Sequence, residues 1–535
     1  MQDYSYFDCF VEIGRYAPKD PAQPWTIEDL RQDMMRCHID AALVYTHHAK
    51  EVDPQRGNDL TLEYCRQQTC LYPCWIALPH HATDFPHPEQ LLQRMEKNQV
   101  KALKLFPRQF GFQVDRDTLG PLLSHIENAG LLLLIDAGVH GTFCQISWQE
   151  IAWIGEHFPR CNVLLQSIRW ESTRQLLPLL KRYKNFYIEF SGYQGNRMVE
   201  FWCQEIGAER LLFGSQAVQK SMGAARAYID YAEISESQRR AIAGENLKHL
   251  LGVEKFKTRK KEPVKDNIIH LALQGRAPKD FKVIDSHAHI LREGGLSAGP
   301  VVMNRGDAKA VIERNMRIGA HVTCVSSWSA IWGDYERGNQ EVHRAMERFP
   351  ENIVGYAVLD PGYIKDWSKA CHYYYRELGF KGLKPYFPKW QIPYNDPLLM
   401  PWYEYADQRS LFCLLHPSDD FKNQVRDLAA AFPNLTFILA HTGADWPTAR
   451  THVELAKEFK NIYLEITQTN VMNGILEFMA EEVTSHRILY GSDTPMRDPY
   501  PQFGWVAYCK LSEAAKRQIL CDNMQKILNR AHKVG

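Results

Sequence analysis

No stretch of this chain approaches the roughly 18 apolar residues of a membrane span. The run LLLLI at 131–135 is only strand length. Net charge is missing too: 63 Lys and Arg stand against 63 Asp and Glu. That balance argues against nucleic acid or an acidic membrane as the main partner. The opening MQDYSYFDCF has neither a basic n-region nor an apolar h-region, so no secretory signal is expected. The 13 cysteines are odd in number and scattered, and the pair Cys70 and Cys74 has no matching second pair. They read as reduced thiols, mostly core fillers, in a cytoplasmic protein. What is there is ordinary globular composition, with 45% apolar and 24% charged residues. At 535 residues the chain is too long for one ordinary domain and long enough for two large ones.

The two halves echo each other. VIDSHAHI at 283–290 has a relative in YFDCFVEIG at 6–14, with Asp8 matching Asp285 at an offset of 277. RGN recurs at Arg56–Asn58 and Arg337–Asn339, and VKALK ending at Lys104 matches FKGLK ending at Lys384. LLFGS ending at Ser215 matches ILYGS ending at Ser492, and Asn246 matches Asn523. Ordered matches with small drifts imply a duplicated domain of roughly 250 residues, the length of an eightfold β/α barrel.

In the second half, short β-branched runs alternate with segments of helical period. The expected strands are KVIDSHAHI, HVTCVSSW, NIVGYAVLD, FKGLKPY, LFCLLHP, LTFILAH, NIYLEIT and RILYGSD. Alternation implies right-handed crossovers and a parallel sheet. The predicted architecture is α/β: two tandem TIM (β/α)8 barrels over 1–255 and 281–535. Residues 256–280, beginning FKTRKKEPVKD, read as a linker with one short helix at NIIHLALQG.

His287 and His289 are spaced i, i+2, so on a strand they face the same way. At the C-terminal end of a barrel strand that face looks into the mouth. His416, His441 and Asp493 also finish apolar runs, those of strands five, six and eight. Any one such histidine is more often a satisfied surface or core residue. Five strand-end groups from distant parts of the chain are better explained by one rim holding a divalent metal.

DSHAHI, GFKGLKPYF, LLHP, LAHTG, LYGSDTPMRDP and ILCDNMQKIL together resemble the amidohydrolase superfamily. Within it they are most similar to the branch that includes aminocarboxymuconate semialdehyde decarboxylase. The resemblance covers 281 to about 530. It implies a distorted barrel with one divalent metal, usually zinc, with manganese, iron or cobalt as alternatives. The implied ligands are His287, His289, His416 and Asp493. His441 is the implied catalytic histidine, with Asp493 sharing the proton work. Lys384 lies near the place of a metal-bridging carboxylated lysine in some relatives. Lys104 holds the same point where the other ligands are absent, so a structural or anion-binding role is simpler. Arg497 suits a substrate carboxylate or else a surface salt bridge. Trp328 and Tyr386 either line the pocket or pack the rim.

Laid on the second half, the first has Phe10 for His287, Glu12 for His289, Asp136 for His416, Ser167 for His441 and Gln216 for Asp493. It reads as a pseudo-enzyme barrel that keeps its fold and has lost its metal. Members of the resembled branch often pair as dimers, so the first barrel is expected to act as an intramolecular pseudo-dimer partner, with Arg169 and Arg174 as groups that reach across. Homo-oligomers stay open. The expected activity is metal-dependent hydrolysis of a small carboxylated substrate, such as a lactone or amide, through a metal-activated water. The alternatives are a non-oxidative decarboxylase or hydratase at the same site, and a non-catalytic binding scaffold.

Overall fold

The computed structural model describes residues 5–15, 20–140, 143–144, 146–254, 264–293 and 301–533. It divides into two units, Met1–Val264 and Lys265–Gly535. In the first, eight strands pair in chain order: β1 (Phe7–Ile13), β2 (Ala41–Thr46), β3 (Leu71–Ile76), β4 (Ala102–Leu105), β5 (Leu132–Asp136), β6 (Val163–Gln166), β7 (Phe186–Glu189) and β8 (Leu211–Leu212). The second repeats the order with β9 (Val283–Ile290), β10 (Ala320–Ser327), β11 (Ile353–Ala357), β12 (Gly382–Leu383), β13 (Phe412–Leu415), β14 (Thr436–Leu439), β15 (Ile462–Glu465) and β16 (Ile488–Leu489). Every pairing within these two sheets is parallel.

Each sheet closes on its first strand. The Cys9 N–H donates to the Phe213 carbonyl at 2.9 Å, and the Ser286 N–H to the Tyr490 carbonyl at 3.0 Å. The molecule is therefore two tandem (β/α)8 barrels, as the alternating pattern predicts. A barrel strand is covered by helices outside and packed by side chains inside, so its sequence is apolar nearly throughout. Leu132 to Ile135 illustrate this, all at most 1% exposed. The helices between strands start on side-chain caps. Thr26 with Asp29, and Ser147 with Glu150, form reciprocal capping boxes.

The matched sequence fragments are matched structural devices. Asp8 and Asp285 are fully buried, and each accepts from a serine hydroxyl and backbone N–H groups at the far end of the sheet: Ser215 in one barrel, Ser492 in the other. Asn58 bridges the Ile76 N–H and carbonyl, and Asn339 does the same at Val358. A side chain at Gly57 would put its Cβ 2.1 Å from the Ala49 nitrogen, and at Gly338 2.3 Å from the Ala330 nitrogen. Only glycine fits either helix crossing. Asn246 ties the Ala208 and Leu211 carbonyls, while Asn523 ties those of Ser485 and Ile488.

Several strands are shorter than their apolar runs. FKGLKPY yields only Gly382–Leu383, and RILYGSD only Ile488–Leu489. The chain leaves the sheet where rim residues turn. His441 and Asp493 both sit at φ +61°. Residues 256–263 of the expected linker lie outside the described residues. Its short helix, Asn267–Ala272, is capped by Asp266, whose carboxylate also receives Lys516 Nζ at 2.6 Å, so this helix belongs to the second unit. The twelve cysteines whose side chains are described are free thiols, buried except for half-buried Cys65 and Cys521. No described helix is long and apolar enough to cross a membrane.

Candidate functional site

The C-terminal ends of β9, β13, β14, β15 and β16 bring their polar side chains to one mouth. His287 and His289, two apart on β9, point the same way with ring centroids 5.5 Å apart. Asp493 follows β16, and its Oδ1 lies 3.0 Å from His289 Nε2 and 3.9 Å from His287 Nε2. His441 follows β14 with its ring 5.2 Å from His287. His416 follows β13, 4.8 Å from His441. Donor atoms of His287, His289 and Asp493 all lie within 4.8 Å of one another, and so do those of His287, His441 and Glu465. The five residues read from the sequence do converge. His416 sits at the edge of the group, outside both sets of three.

Each ring is held from behind. His287 Nδ1 is 3.0 Å from Glu465 Oε2, which leaves Nε2 facing the centre. His289 Nδ1 is 2.9 Å from Ser326 Oγ. His441 Nδ1 is 2.8 Å from the Thr467 carbonyl, which can only accept, so Nδ1 carries the hydrogen and Nε2 the lone pair. His416 Nδ1 makes the same kind of bond to the Pro417 carbonyl at 3.1 Å. Such partners fix the tautomer and aim of a metal-binding histidine.

Burial, reinforced by the Lys384 cation, pushes the His287 imidazole well below its ordinary range. Burial and the neighbouring His416 do the same at His441. His416 falls to about 4 through burial and Lys384. These rings are neutral at pH 7 and keep their lone pairs. At Asp493 burial works to raise the carboxyl, but Arg497 and the two histidines outweigh it and hold the group ionised. Burial lifts Glu465 to about 7 and lowers Lys384 to about 8.

The remaining expected site residues divide. Lys384, at the end of β12, is buried with Nζ 3.5 Å from His287 Nε2. Trp328 meets the edge of His289 at 5.9 Å and Tyr386 that of His416 at 5.5 Å, so both wall the mouth. Arg497 is engaged on three sides, by Asp493, by Thr469 Oγ1 at 2.7 Å and by Gln468 Oε1 at 3.1 Å. In this arrangement it braces Asp493. Glu465 is not marked by the sequence pattern, since it is a single carboxylate ending the apolar run NIYLE. The available signal was its counterpart Glu189, in NFYIEF, at the same place in the first barrel.

The first barrel's mouth is built differently on the same frame. Glu12 accepts from Tyr45 and from Gln219 Nε2, the latter at 2.6 Å, and lies 3.5 Å from His47 Nε2. Lys104 Nζ lies 3.9 Å from the centre of the Phe10 ring and 3.7 Å from Asp136 Oδ2. Ser167 and Gln216 keep φ values of +58° and +55°, close to those of His441 and Asp493.

The Amidohydrolase family model matches residues 284–530. No curated protein matches the chain. Similar solved structures include 5-carboxyvanillate decarboxylase from Sphingomonas paucimobilis, 13% identical, covering 47% of this chain and 99% of that one, with a TM-score of 0.39. The 2,6-dihydroxybenzoate decarboxylase from Rhizobium is 16% identical over 46% of this chain and 98% of that one, with a TM-score of 0.36. A dihydroxybenzoic acid decarboxylase from Polaromonas, solved with bound manganese, is 19% identical over 46% and 97%, with a TM-score of 0.35. With the matched region spanning the whole histidine-lined mouth, residues 284–530 form an amidohydrolase-family domain.

Proposed function

We propose that the C-terminal barrel is a metal-dependent hydrolase acting on a small carboxylated substrate such as a lactone or amide. The donor set fits a divalent cation: two imidazoles and a carboxylate, all buried, within 4.8 Å. His287, His289 and Asp493 would hold it, with His416 completing the set. Mixed imidazole and carboxylate donors suit zinc, and also manganese, iron or cobalt. When bound, such an ion polarises a carbonyl and acidifies water.

The observation that carries the reading is the His441 tautomer. With Nδ1–H given to Thr467, Nε2 is a fixed base beside the donor cluster. It takes a proton from water and returns it to the leaving group. Asp493 supports that proton transfer. Lys384 presents a buried cation to the substrate carboxylate, and Trp328 and Tyr386 flank it.

Lys384 also supports a second reading. An ammonium 3.5 Å from His287 can supply the proton that a non-oxidative decarboxylase or hydratase needs. Turnover of carboxylated lactones, amides and hydroxybenzoates in H2¹⁸O separates the two. One ¹⁸O in the acid formed by cleavage of the lactone or amide supports hydrolysis, one ¹⁸O added with no bond cleaved replaces it with hydration, and carbon dioxide release with an unlabelled organic product replaces it with decarboxylation. If the protein does none of these and takes up no metal when it is supplied, the barrel is a binding scaffold.

The first barrel is proposed as a degenerate copy that takes the place of a partner subunit. The support is its shared devices and its metal-poor rim. Loss of turnover in Arg174→Ala with unchanged folding supports that role, and unchanged turnover removes it.

A further inference from the structure

Four histidines of the first barrel gather on its surface. His80, His81 and His87 lie in the segment between β3 and the helix Pro88–Lys97, and His125 lies on the helix Gly120–Ala129. Ring centroids are 4.2 Å apart for His80 and His81, 4.7 Å for His80 and His87, and 6.4 Å for His87 and His125. Two imidazoles on one zinc ion place their centroids roughly 5 Å apart, given Zn–N bonds of about 2.0–2.1 Å and tetrahedral angles. The two His80 pairs fall a little below that value and the His87–His125 pair above it.

Two of the rings have their tautomer set by the backbone. His125 Nδ1 lies 2.8 Å from the Pro121 carbonyl, so Nδ1 carries the hydrogen and Nε2 the lone pair. His81 Nε2 lies 3.2 Å from the Thr118 carbonyl, which leaves the lone pair on Nδ1. This is the arrangement that orients metal-binding histidines elsewhere. His87 is exposed and able to turn toward a shared ion.

We propose that His80, His87 and His125, with His81 as a fourth donor, form a second metal site for a borderline divalent cation such as zinc, nickel or copper. An all-imidazole set prefers these ions to magnesium or calcium. A bound ion would tie the segment after β3 to the helix Gly120–Ala129.

The test is zinc titration of the metal-free full-length protein against a competing chromophoric indicator. Wild type should take up one more equivalent than His80→Ala/His87→Ala. His87 caps its helix without a side-chain hydrogen bond, so the substitution spares the fold. His125→Ala should weaken the surface equivalent by about tenfold or more. His287→Ala should remove the C-terminal equivalent and leave this one, so failure of either site is read separately. Equal stoichiometry in wild type and the double variant would overturn the proposal. Should the double variant unfold, single His87→Ala reads the same loss of affinity, and an unchanged affinity there overturns it as well.

Discussion

The two barrel mouths share a scaffold and differ in what stands on it. Lys384 meets His287 in one mouth, and Lys104 meets the Phe10 ring in the other. Glu465 supports His287 while also accepting from Thr467 and the His441 N–H. Glu189 keeps the equivalent bonds, to Ser191 and the Ser167 N–H, with no histidine to support. The lesson is that the rim is separable from the barrel. Buried groups such as the lysine and glutamate stand in both mouths, whereas His287, His289, His416 and His441 have no histidine counterparts in the first. A cation over an aromatic face is a stable alternative to a cation beside a metal ligand.

The largest expected break in the comparison is His287→Ala. It should abolish metal binding at the second mouth and lower turnover by about three orders of magnitude, on the order of 4 kcal/mol. Phe10→Ala should leave both unchanged, and elemental analysis with steady-state kinetics checks the pair. Core truncation should instead treat the barrels alike. Leu134→Ala and Leu414→Ala, both buried at 1% exposure, should each cost about 2–5 kcal/mol in denaturant titration.

A third contrast uses pH. Burial raises Asp8 from 3.8 to about 7. The folded barrel therefore keeps a proton that the unfolded chain gives up. The stability from protonated Asp8 is complete below about pH 3.8 and lost as pH rises through about 7. Burial raises Asp285 to about 7 as well, so Asp8→Asn should remove the first barrel's share of that decline and leave the second's, as followed by thermal unfolding across the window. The smallest effect is expected at Glu465→Gln, which should weaken metal affinity by about 10–100-fold. Glu189→Gln should leave metal content unchanged. Equal effects from the two would merge the roles that the structure separates.

Much of this was legible in the residues themselves. Strand and helix alternate in the sequence because each β/α unit must bury its own strand. The strand-end positions of His287, His289, His441 and Asp493 follow from the same pattern. What lay beyond it depends on three-dimensional partners. Nothing in TPMRDP indicates that Arg497 is engaged by Asp493, Gln468 and Thr469. The peripheral place of His416, its Nδ1 turned to the Pro417 carbonyl, is visible only in the folded chain. Glu465 is one letter at the end of an apolar run until His287 is seen against it. His125 joins His80, His81 and His87 only because two helices pack side by side, which no local spacing encodes.

The left-handed turns at Ser167 and Gln216 have a practical consequence. Non-glycine residues adopt that conformation at a cost of about 1–2 kcal/mol each. The first barrel still carries the bends at the two positions where its neighbour presents an imidazole and a carboxylate. Its main chain is thus already shaped as a receptacle for grafting. Writing histidine and aspartate back into those sites is a matter of exchanging side chains, with no rerouting of the backbone.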